Sequence, residues 1–226
     1  TLDAAGEVTA TFDMGGTTLA QVQAAAVAFT GPIEQVPPMV SAVKIDGKRL
    51  HELARQGIEV DRPARPVTIH HLEVGPGPAG APEVFTLRVS CSSGTYIRTL
   101  AADIGTALGG GAHLRNLRRT SVGPFTLDDA VALEEVSPER VRPMVEAVRH
   151  LSATTVGTEV AEAVAVGKVL EAVDLGVTGE GPWAVLGPDS SLLAVYEPFR
   201  GTTVKPSLVI PPLAAPPPDP DLPDGT

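Results

Sequence analysis

Apolar residues in the first half of the chain recur with two different periods. Spacings of three and four, typical of a helix with one buried face, predict helices at Thr17–Phe29, Arg49–Gln56 and Tyr96–Leu108. Apolar or alternating segments predict strands at Val8–Phe12, Met39–Ile45, Arg65–Val74, Val84–Cys91 and Ala112–Val122. Strands that occur in runs, with helices between them, predict an α+β fold with a mainly antiparallel sheet and flanking helices.

The pattern changes after residue 125. Two helical segments, Leu127–Val131 and Ser137–Val148, predict a linker that ends a first domain of residues 1–150. A helix at Glu159–Leu170 then precedes short strands, which predicts a small β-rich domain over residues 151–210; the strands are Trp183–Leu186, Leu192–Tyr196 and Leu208–Ile210. Residues 211–226 are rich in Pro, Ala and Asp and offer little to bury, so we expect a disordered tail.

Charge is distributed unevenly along the chain. The net charge of −10 over 226 residues argues against a polyanionic ligand, but residues 151–226 carry ten acidic and only three basic residues. By contrast, the segment from Lys44 to Arg55 holds four basic residues against Asp46 and Glu52. Because the local field decides where a polyanion docks, the composition leaves room for an RNA ligand on the first domain.

Cysteine and histidine usage narrows the chemistry further. The single cysteine, Cys91, cannot form an internal disulfide and suits the reducing cytoplasm. His70 and His71 are adjacent within a predicted strand, so their side chains point to opposite faces and a shared metal is not expected. No apolar run reaches the roughly 20 residues of a membrane-spanning helix, so no membrane partner is predicted.

The most informative segment is Cys91–Leu100, where a predicted strand gives way to a predicted helix. Gly94 permits a tight turn there, and Tyr96 and Arg98 follow at the start of the helix. A phenol ring and a guanidinium group so placed can stack on a planar ring and bind an anion. The alternative is that Tyr96 and Arg98 only cover the edge of the core, with Arg98 beside Asp103.

Two further motifs accompany this segment. Downstream, Gly109–Gly111 precede a basic stretch, Ala112–Thr120, that contains Leu117, Arg118 and Arg119. Upstream, Val36–Leu50 and Glu52–Gly57 form a long irregular motif with Pro37 and Pro38. Taken together and in this order, the three motifs resemble the TruB family of tRNA pseudouridine synthases from Thr1 to about Phe125. For residues 151–210 the resemblance implies a PUA-like domain, and it is much weaker there.

The resemblance implies roles for individual residues. Tyr96 would stack on a flipped uracil, Arg98 would orient a catalytic aspartate, and Leu117 would form the floor of the uracil pocket. The default interpretation of Leu117 is core packing. Residues 37–65 resemble the insertion with which the family grips the tRNA T stem-loop. The RNA-binding residues would then be Lys44, Lys48, Arg49, His51, Arg55, Arg118 and Arg119. His51 departs from the family pattern, which has tyrosine there.

The family's nucleophile motif, Gly-Thr-Leu-Asp-Pro, does not match any part of this chain. Thr1-Leu2-Asp3 is followed by Ala4 instead of proline and resembles a different, later segment of the family. We therefore expect the catalytic aspartate to lie upstream of Thr1, in a segment that this chain lacks, and the chain alone to be inactive. Neither Asp3 nor Asp13 is assigned to catalysis.

Three functions follow as hypotheses. The first is a tRNA pseudouridine-55 synthase, an isomerase that needs no cofactor, acting as a cytoplasmic monomer on the T stem-loop of tRNA. The second is a fragment that binds RNA and isomerises nothing. The third is an acidic protein-interaction domain without any RNA ligand.

Overall fold

The computed structural model describes residues 1–45 and 47–211, which form two compact units. The first unit comprises Thr1–Arg118, and the second begins at Arg119. The sequence analysis places the domain boundary after residue 150. Because the second unit already begins at Arg119, it includes the whole predicted linker, residues 127–148. Residue 46 and residues 212–226, which include nearly all of the segment predicted to be disordered, lie outside the described residues.

The first unit combines three helices with five strands. The helices are α1 (Leu19–Ala26), α2 (Leu50–Arg55) and α3 (Ile97–Ala107). The strands are β1 (Gly31–Gln35), β2 (Lys44–Ile45), β3 (Lys48–Arg49), β4 (Arg65–Pro76) and β5 (Phe85–Cys91). Strands β1, β4 and β5 form an antiparallel sheet in the order β1-β4-β5, and β2 and β3 form a separate hairpin.

Helices α1 and α3 bury their apolar faces against this sheet. Helix α1 starts at the N-cap Thr18, whose hydroxyl accepts from the amide of Gln21 in a reciprocal capping box. Helix α3 begins directly after Tyr96. The core between the helices and the sheet consists of Val22, Ala26, Ile69, Val74, Leu100 and Ile104. The strand–helix junction therefore rests on a packed support.

The second unit is built around a five-stranded sheet in the order β8-β10-β11-β12-β9, in which β8 and β10 are parallel and the other pairs antiparallel. The strands of this sheet are β8 (Ser152–Thr155), β9 (Leu170–Glu171), β10 (Trp183–Leu186), β11 (Leu192–Pro198) and β12 (Thr203–Val209). Strands β6 (Ser121–Val122) and β7 (Phe125–Thr126) form a separate hairpin in the same unit. Helices α4 (Thr158–Ala165) and α5 (Ala172–Leu175) complete it. Trp183 and Tyr196 lie in its core, and the Tyr196 hydroxyl donates to the carbonyl oxygen of Lys168 at 2.8 Å.

A charged cluster fixes the chain between β7 and β8. Arg149 donates to both carboxylate oxygens of Asp129, at 3.2 and 2.8 Å, and its guanidinium lies 4.8 Å from the centre of the Phe125 ring. Arg142 reaches Asp129 at 3.0 Å. The bonds from Arg149, then the amide of Thr126, lower the pKa of Asp129 to about 2.

The mainly antiparallel α+β fold is confirmed, but several predicted elements are wrong. Residues 8–12 form no strand, and Val8 is 81% exposed. Of Ala112–Val122 only Ser121–Val122 is strand, and Met39–Ile45 contributes only Lys44–Ile45. A short apolar segment becomes a strand only where another strand pairs with it. Within the described residues the remaining parts of these segments have no strand beside them, apart from the single bridge between Leu114 and Asp3.

The predicted helical linker is also wrong. Residues 127–148 fold as four separate 3₁₀ turns, at Leu127–Asp129, Leu133–Glu135, Pro138–Arg140 and Met144–Val148. Pro138 starts one turn, whereas Pro143 stands inside the predicted second helix, where it can donate no hydrogen bond. Pro143 therefore interrupts the helix that the apolar spacing predicts for Ser137–Val148.

Candidate functional site

The turn between β5 and α3 carries the candidate site and is fixed by hydrogen bonds. Gly94 adopts a φ of +81°, a conformation that side-chain-bearing residues rarely take. The Thr95 hydroxyl donates to the carbonyl of Ser92 at 2.9 Å, and the Ser92 hydroxyl accepts from the amide of Thr68 on β4 at 2.9 Å. These hydrogen bonds within the protein define the shape of the junction.

Tyr96 is half-buried and forms the N-cap of α3, although its own side chain caps nothing. Its main chain is bound instead by Gln35, the last residue of β1. The Tyr96 amide donates to Gln35 Oε1 at 3.0 Å, and the Tyr96 carbonyl accepts from Gln35 Nε2 at 3.4 Å. Gln35 is only 1% exposed. The sequence analysis missed this residue, because it predicted no strand at Gly31–Gln35 and therefore gave no sign that Gln35 is buried.

Arg98 is held by three oxygen atoms. Its Nη2 donates to the carbonyl of Val40 at 2.7 Å, and its Nη1 donates to the carbonyl of Thr1 and to Oδ2 of Asp3, both at 3.2 Å. The carboxylate that pairs with Arg98 in this chain is therefore Asp3, to which the sequence analysis assigned no role. The ion pair between Arg98 and Asp3 does not match the alternative interpretation, in which Arg98 lies beside Asp103.

Asp3 is ionised and anchored. Hydrogen bonds from the Thr1 side chain and the Ala5 amide, together with the Arg98 guanidinium, hold the pKa of the Asp3 carboxyl below its usual value. Its main chain forms a parallel bridge with Leu114, in which the amide of Ala4 donates to the Leu114 carbonyl at 2.9 Å. This bridge ties the acidic partner of Arg98 to the basic stretch downstream.

The basic stretch itself faces solvent. Leu117 is 59% exposed, so the interpretation of Leu117 as core packing is wrong. Arg118 is exposed at the end of the first unit, and Arg119, also exposed, opens the second unit. Their exposure leaves these side chains accessible for contacts with a ligand.

The insertion at residues 37–65 presents four exposed cations on a small scaffold. Lys44 pairs with Arg49 across the β2–β3 hairpin, and the buried Leu50 and Leu53 hold α2 in place beneath the charged residues. The four cationic side chains are those of Lys44, Lys48, Arg49 and Arg55. Exposed cations of this kind suit contacts with phosphate groups.

His51 is partly buried and points its ring at the protein main chain. Its Nδ1 lies 3.0 Å from the carbonyl oxygen of Ser41, which also accepts from the His51 amide at 3.0 Å. Since a carbonyl can only accept, Nδ1 carries the proton in this contact. Val40, the residue before Ser41, is the one whose carbonyl binds Arg98. A single loop therefore connects Arg98 to the helix that carries His51.

Two surface recesses lie away from these residues. One of about 270 Å³ is lined by Glu73, Pro76 and Arg88, and one of about 180 Å³ by Asp13, Met14 and Leu108 among others. Within residues 1–45 and 47–211, no group of three or more His, Cys, Asp or Glu side chains is placed to hold a metal ion. None of the helices in the same residues is long and apolar enough to cross a membrane.

Two segments of this chain match family models of known proteins. Residues 1–97 match the TruB family pseudouridylate synthase N-terminal domain, and residues 98–151 match the tRNA pseudouridylate synthase B C-terminal domain. A relative from Arthrobacter sp. (strain FB24), named tRNA pseudouridine synthase B, is 41% identical over 93% of this chain and 72% of its own length. One of the same name from Saccharophagus degradans is 47% identical over 66% of this chain, which spans only 48% of that protein.

Solved structures share the fold. A crystal structure of a Cbf5-Nop10-Gar1 complex has a chain that matches with a TM-score of 0.66 and 25% identity, over 87% of this chain and 64% of that one. A structure of an H/ACA RNP bound to a substrate RNA containing 2′-deoxyuridine matches with a TM-score of 0.59 at 22% identity, over 84% of this chain and 60% of that one, and shows the fold alone. On the two domain matches and the relatives together, the chain belongs to the TruB family of pseudouridylate synthases.

Proposed function

We propose that this chain is the RNA-binding and base-holding portion of a tRNA pseudouridine synthase that acts on the T-loop uridine. The observation that carries the proposal is that one strand–helix junction carries both the half-buried Tyr96 and, two residues later, the Arg98 guanidinium, which is fixed by Asp3 and by main-chain oxygens. The names of the relatives support the same reaction class.

The reaction breaks the bond between N1 of uracil and the ribose, rotates the base and rejoins it through carbon. A uridine inside a folded loop must first leave its stack, which costs a few kcal/mol. In the proposed mechanism Tyr96 compensates by stacking on the everted base, an interaction worth about 1–3 kcal/mol. Leu117 covers the base from the exposed stretch, and the phenol of Tyr96 relays the proton that the reacting carbon loses, releasing its own proton to water as it takes up the other. The ring nitrogen N1, freed from the ribose, ends with a proton taken from water, so that protons balance.

Arg98 provides the electrostatic part of the site. Its guanidinium is already directed by Asp3 and the Val40 carbonyl, so it loses little conformational freedom when a second carboxylate or an anionic intermediate approaches. A neighbouring guanidinium keeps a carboxylate ionised and able to attack. The cations of the 37–65 insertion, with Arg118 and Arg119, bind the phosphates of the T stem-loop and set the register of the RNA.

No segment of the 226 residues resembles the family's nucleophile motif, so the proposal includes that the chain alone binds RNA without isomerising it. The test has two measurements on the same preparation. A gel shift with a T-stem-loop RNA measures binding, and tritium release from C5-labelled uridine measures turnover. We expect binding without release.

Each other outcome identifies a different function. Binding with tritium release would show that a carboxylate within the chain serves as the nucleophile. Asp3→Asn would then identify whether it is the one beside Arg98. Absence of binding at low salt would overturn the RNA function and leave the acidic interaction domain as the remaining interpretation.

A further inference from the structure

The side chain of Gln35 makes two hydrogen bonds to one residue that is distant in sequence. Its Oε1 accepts from the amide of Tyr96 at 3.0 Å, and its Nε2 donates to the carbonyl of Tyr96 at 3.4 Å. The two residues are 61 positions apart. Gln35 is 1% exposed, so this amide has been taken out of water for these two contacts.

The two hydrogen bonds from Gln35 satisfy main-chain groups of Tyr96 at the point where the strand ends and the helix begins. Tyr96 has left β5 and its carbonyl already accepts from Leu100 as the first bond of α3, but its amide has no partner in a strand and its side chain caps nothing. A buried main-chain amide without a partner is costly, as is a buried glutamine. The Gln35 amide pairs with the Tyr96 main chain as a neighbouring strand would, and satisfies both residues.

We infer that Gln35 is a positioning residue for Tyr96. The Gln35 side chain holds the main chain of Tyr96, so that the phenol ring faces an arriving base in one orientation. The inference rests on the proposed function, because it concerns the residue that stacks on uracil there. With φ and ψ of Tyr96 fixed, only the two side-chain torsions of the ring remain to be ordered when RNA binds. Less conformational entropy is then lost on binding.

The position of Gln35 in the fold makes it suited to this task. It ends β1, where it is registered against Arg65 of β4, and the chain then continues into the buried Pro37 and Pro38. Both sides of the residue are therefore constrained, one by sheet pairing and the other by proline. Because the backbone of Gln35 is held on both sides, the two hydrogen bonds from its side chain restrict the main chain of Tyr96 as well.

A merely structural role would make Gln35 one more glutamine whose side chain bonds to a distant main-chain group, and the exposed Gln23 offers a control for that. Gln23 on α1 also donates from its side-chain amide to a distant main-chain carbonyl, that of Val74, at 3.0 Å. Replacement by methionine keeps the length of either side chain and removes its hydrogen bonds. Gln35→Met and Gln23→Met thus differ in whether the lost contact belongs to Tyr96.

Fluorine NMR of the full chain labelled with fluorotyrosine separates the two roles. The chain has two tyrosines, Tyr96 and Tyr196, and Tyr196 lies fully buried in the core of the second unit, where it serves as an internal reference. In Gln35→Met we expect the Tyr96 resonance to shift or split while the Tyr196 resonance stays in place. In Gln23→Met both resonances should remain as in the wild type.

Titration with T-stem-loop RNA supplies the second readout. The Tyr96 resonance of the wild type should move on binding, and the affinity of Gln35→Met should be about tenfold weaker, equivalent to about 1.4 kcal/mol. Gln23→Met should bind within about twofold of the wild type. If Gln35→Met does not fold by circular dichroism, Gln35→Asn replaces it, since it keeps an uncharged amide but is one methylene too short to reach the Tyr96 main chain in the same way.

The outcomes distinguish the inference from the function on which it rests. A Tyr96 resonance and an RNA affinity unchanged by the Gln35 substitution would overturn the positioning role. Equal effects of the Gln35 and Gln23 substitutions on Tyr96 would also overturn it, in favour of general stability. Failure of the wild-type Tyr96 resonance to respond to RNA would instead overturn the proposed function, because no base would then stack there.

Discussion

Two leucines of the first unit, Leu100 and Leu117, should respond in opposite ways to the same substitution. Leu100 has no exposed surface and packs between α1 and the sheet, two positions along α3 from Arg98. Leu117 is 59% exposed in the basic stretch. Leu100→Ala should therefore destabilise the fold and spare RNA binding, whereas Leu117→Ala should weaken RNA binding and spare the fold.

The magnitude for Leu100→Ala follows from its burial. Truncation of a buried leucine to alanine costs about 2–5 kcal/mol, because apolar contact is lost and a cavity remains. A loss of about 3 kcal/mol, with a urea dependence of roughly 2 kcal/mol per molar, lowers the urea midpoint by about 1.5 M. Ile104→Val on the same helix removes one methylene and should lower it by about 0.5 M.

The assay follows urea unfolding through the fluorine signal of fluorotyrosine at Tyr96, which reports on the first unit. RNA affinity is measured without urea at a temperature where each variant is folded. Leu117→Ala should leave the midpoint within about 0.3 M of the wild type, since an exposed side chain loses little contact. Equal midpoints for the two alanine variants, or equal losses of RNA affinity, would refute the assignment of Leu100 to the core and Leu117 to the ligand.

Three further predictions concern charge and hydrogen bonding. Arg98→Ala in a longer protein that includes the nucleophile segment should abolish most tritium release, whereas Arg88→Ala, an exposed arginine on β5, should not. Because the pKa of Asp129 is lowered to about 2, chiefly by Arg149, its contribution to stability is complete above about pH 4. It should be lost as the pH falls toward 2, and the melting temperature of Asp129→Asn should vary less over that interval. Tyr196→Phe leaves a buried carbonyl without its donor, so the free energy of unfolding followed by tryptophan fluorescence should fall by about 1–2 kcal/mol.

The sequence was sufficient where local signals agreed with one another. Helix α1 lies within the predicted segment Thr17–Phe29 and is capped by Thr18, and the alternating segments Arg65–Val74 and Val84–Cys91 form the paired strands β4 and β5. In these segments the apolar period, the caps and the turn residues all point to the same element. The junction at Gly94 followed from the change of period, and it lies where the sequence predicted it.

The sequence failed where structure depends on a distant partner. Residues 8–12 have the residues of a strand but no neighbouring strand among the described residues, so Val8 stays exposed. The segment Ser152–Thr155 was not predicted, yet it pairs in parallel with Trp183–Leu186 and becomes β8. Strand propensity expresses fit to a sheet, and local sequence does not reveal which sheet is available.

The same reason explains what was missed in the candidate site. Arg98 could be identified because an arginine at a helix start is visible in the sequence, but its partner Asp3 is 95 positions away. Two of the three contacts of Arg98 are main-chain carbonyls, those of Thr1 and Val40, which every residue type possesses. Such contacts leave no trace in the choice of amino acid and can be recognised only from coordinates.

The segment from Gln35 to Ser41 brings these observations together. It binds Tyr96 through the Gln35 side chain, Arg98 through the Val40 carbonyl, and His51 through the Ser41 carbonyl. Of these three contacts, only the first uses a side chain of the segment itself. Substitution of Gln35 should therefore perturb the site, whereas substitution of Val40 by another non-proline residue should leave it unchanged. Because one short segment contacts Tyr96, Arg98 and the helix that carries His51, their mutual geometry depends on a single stretch of main chain.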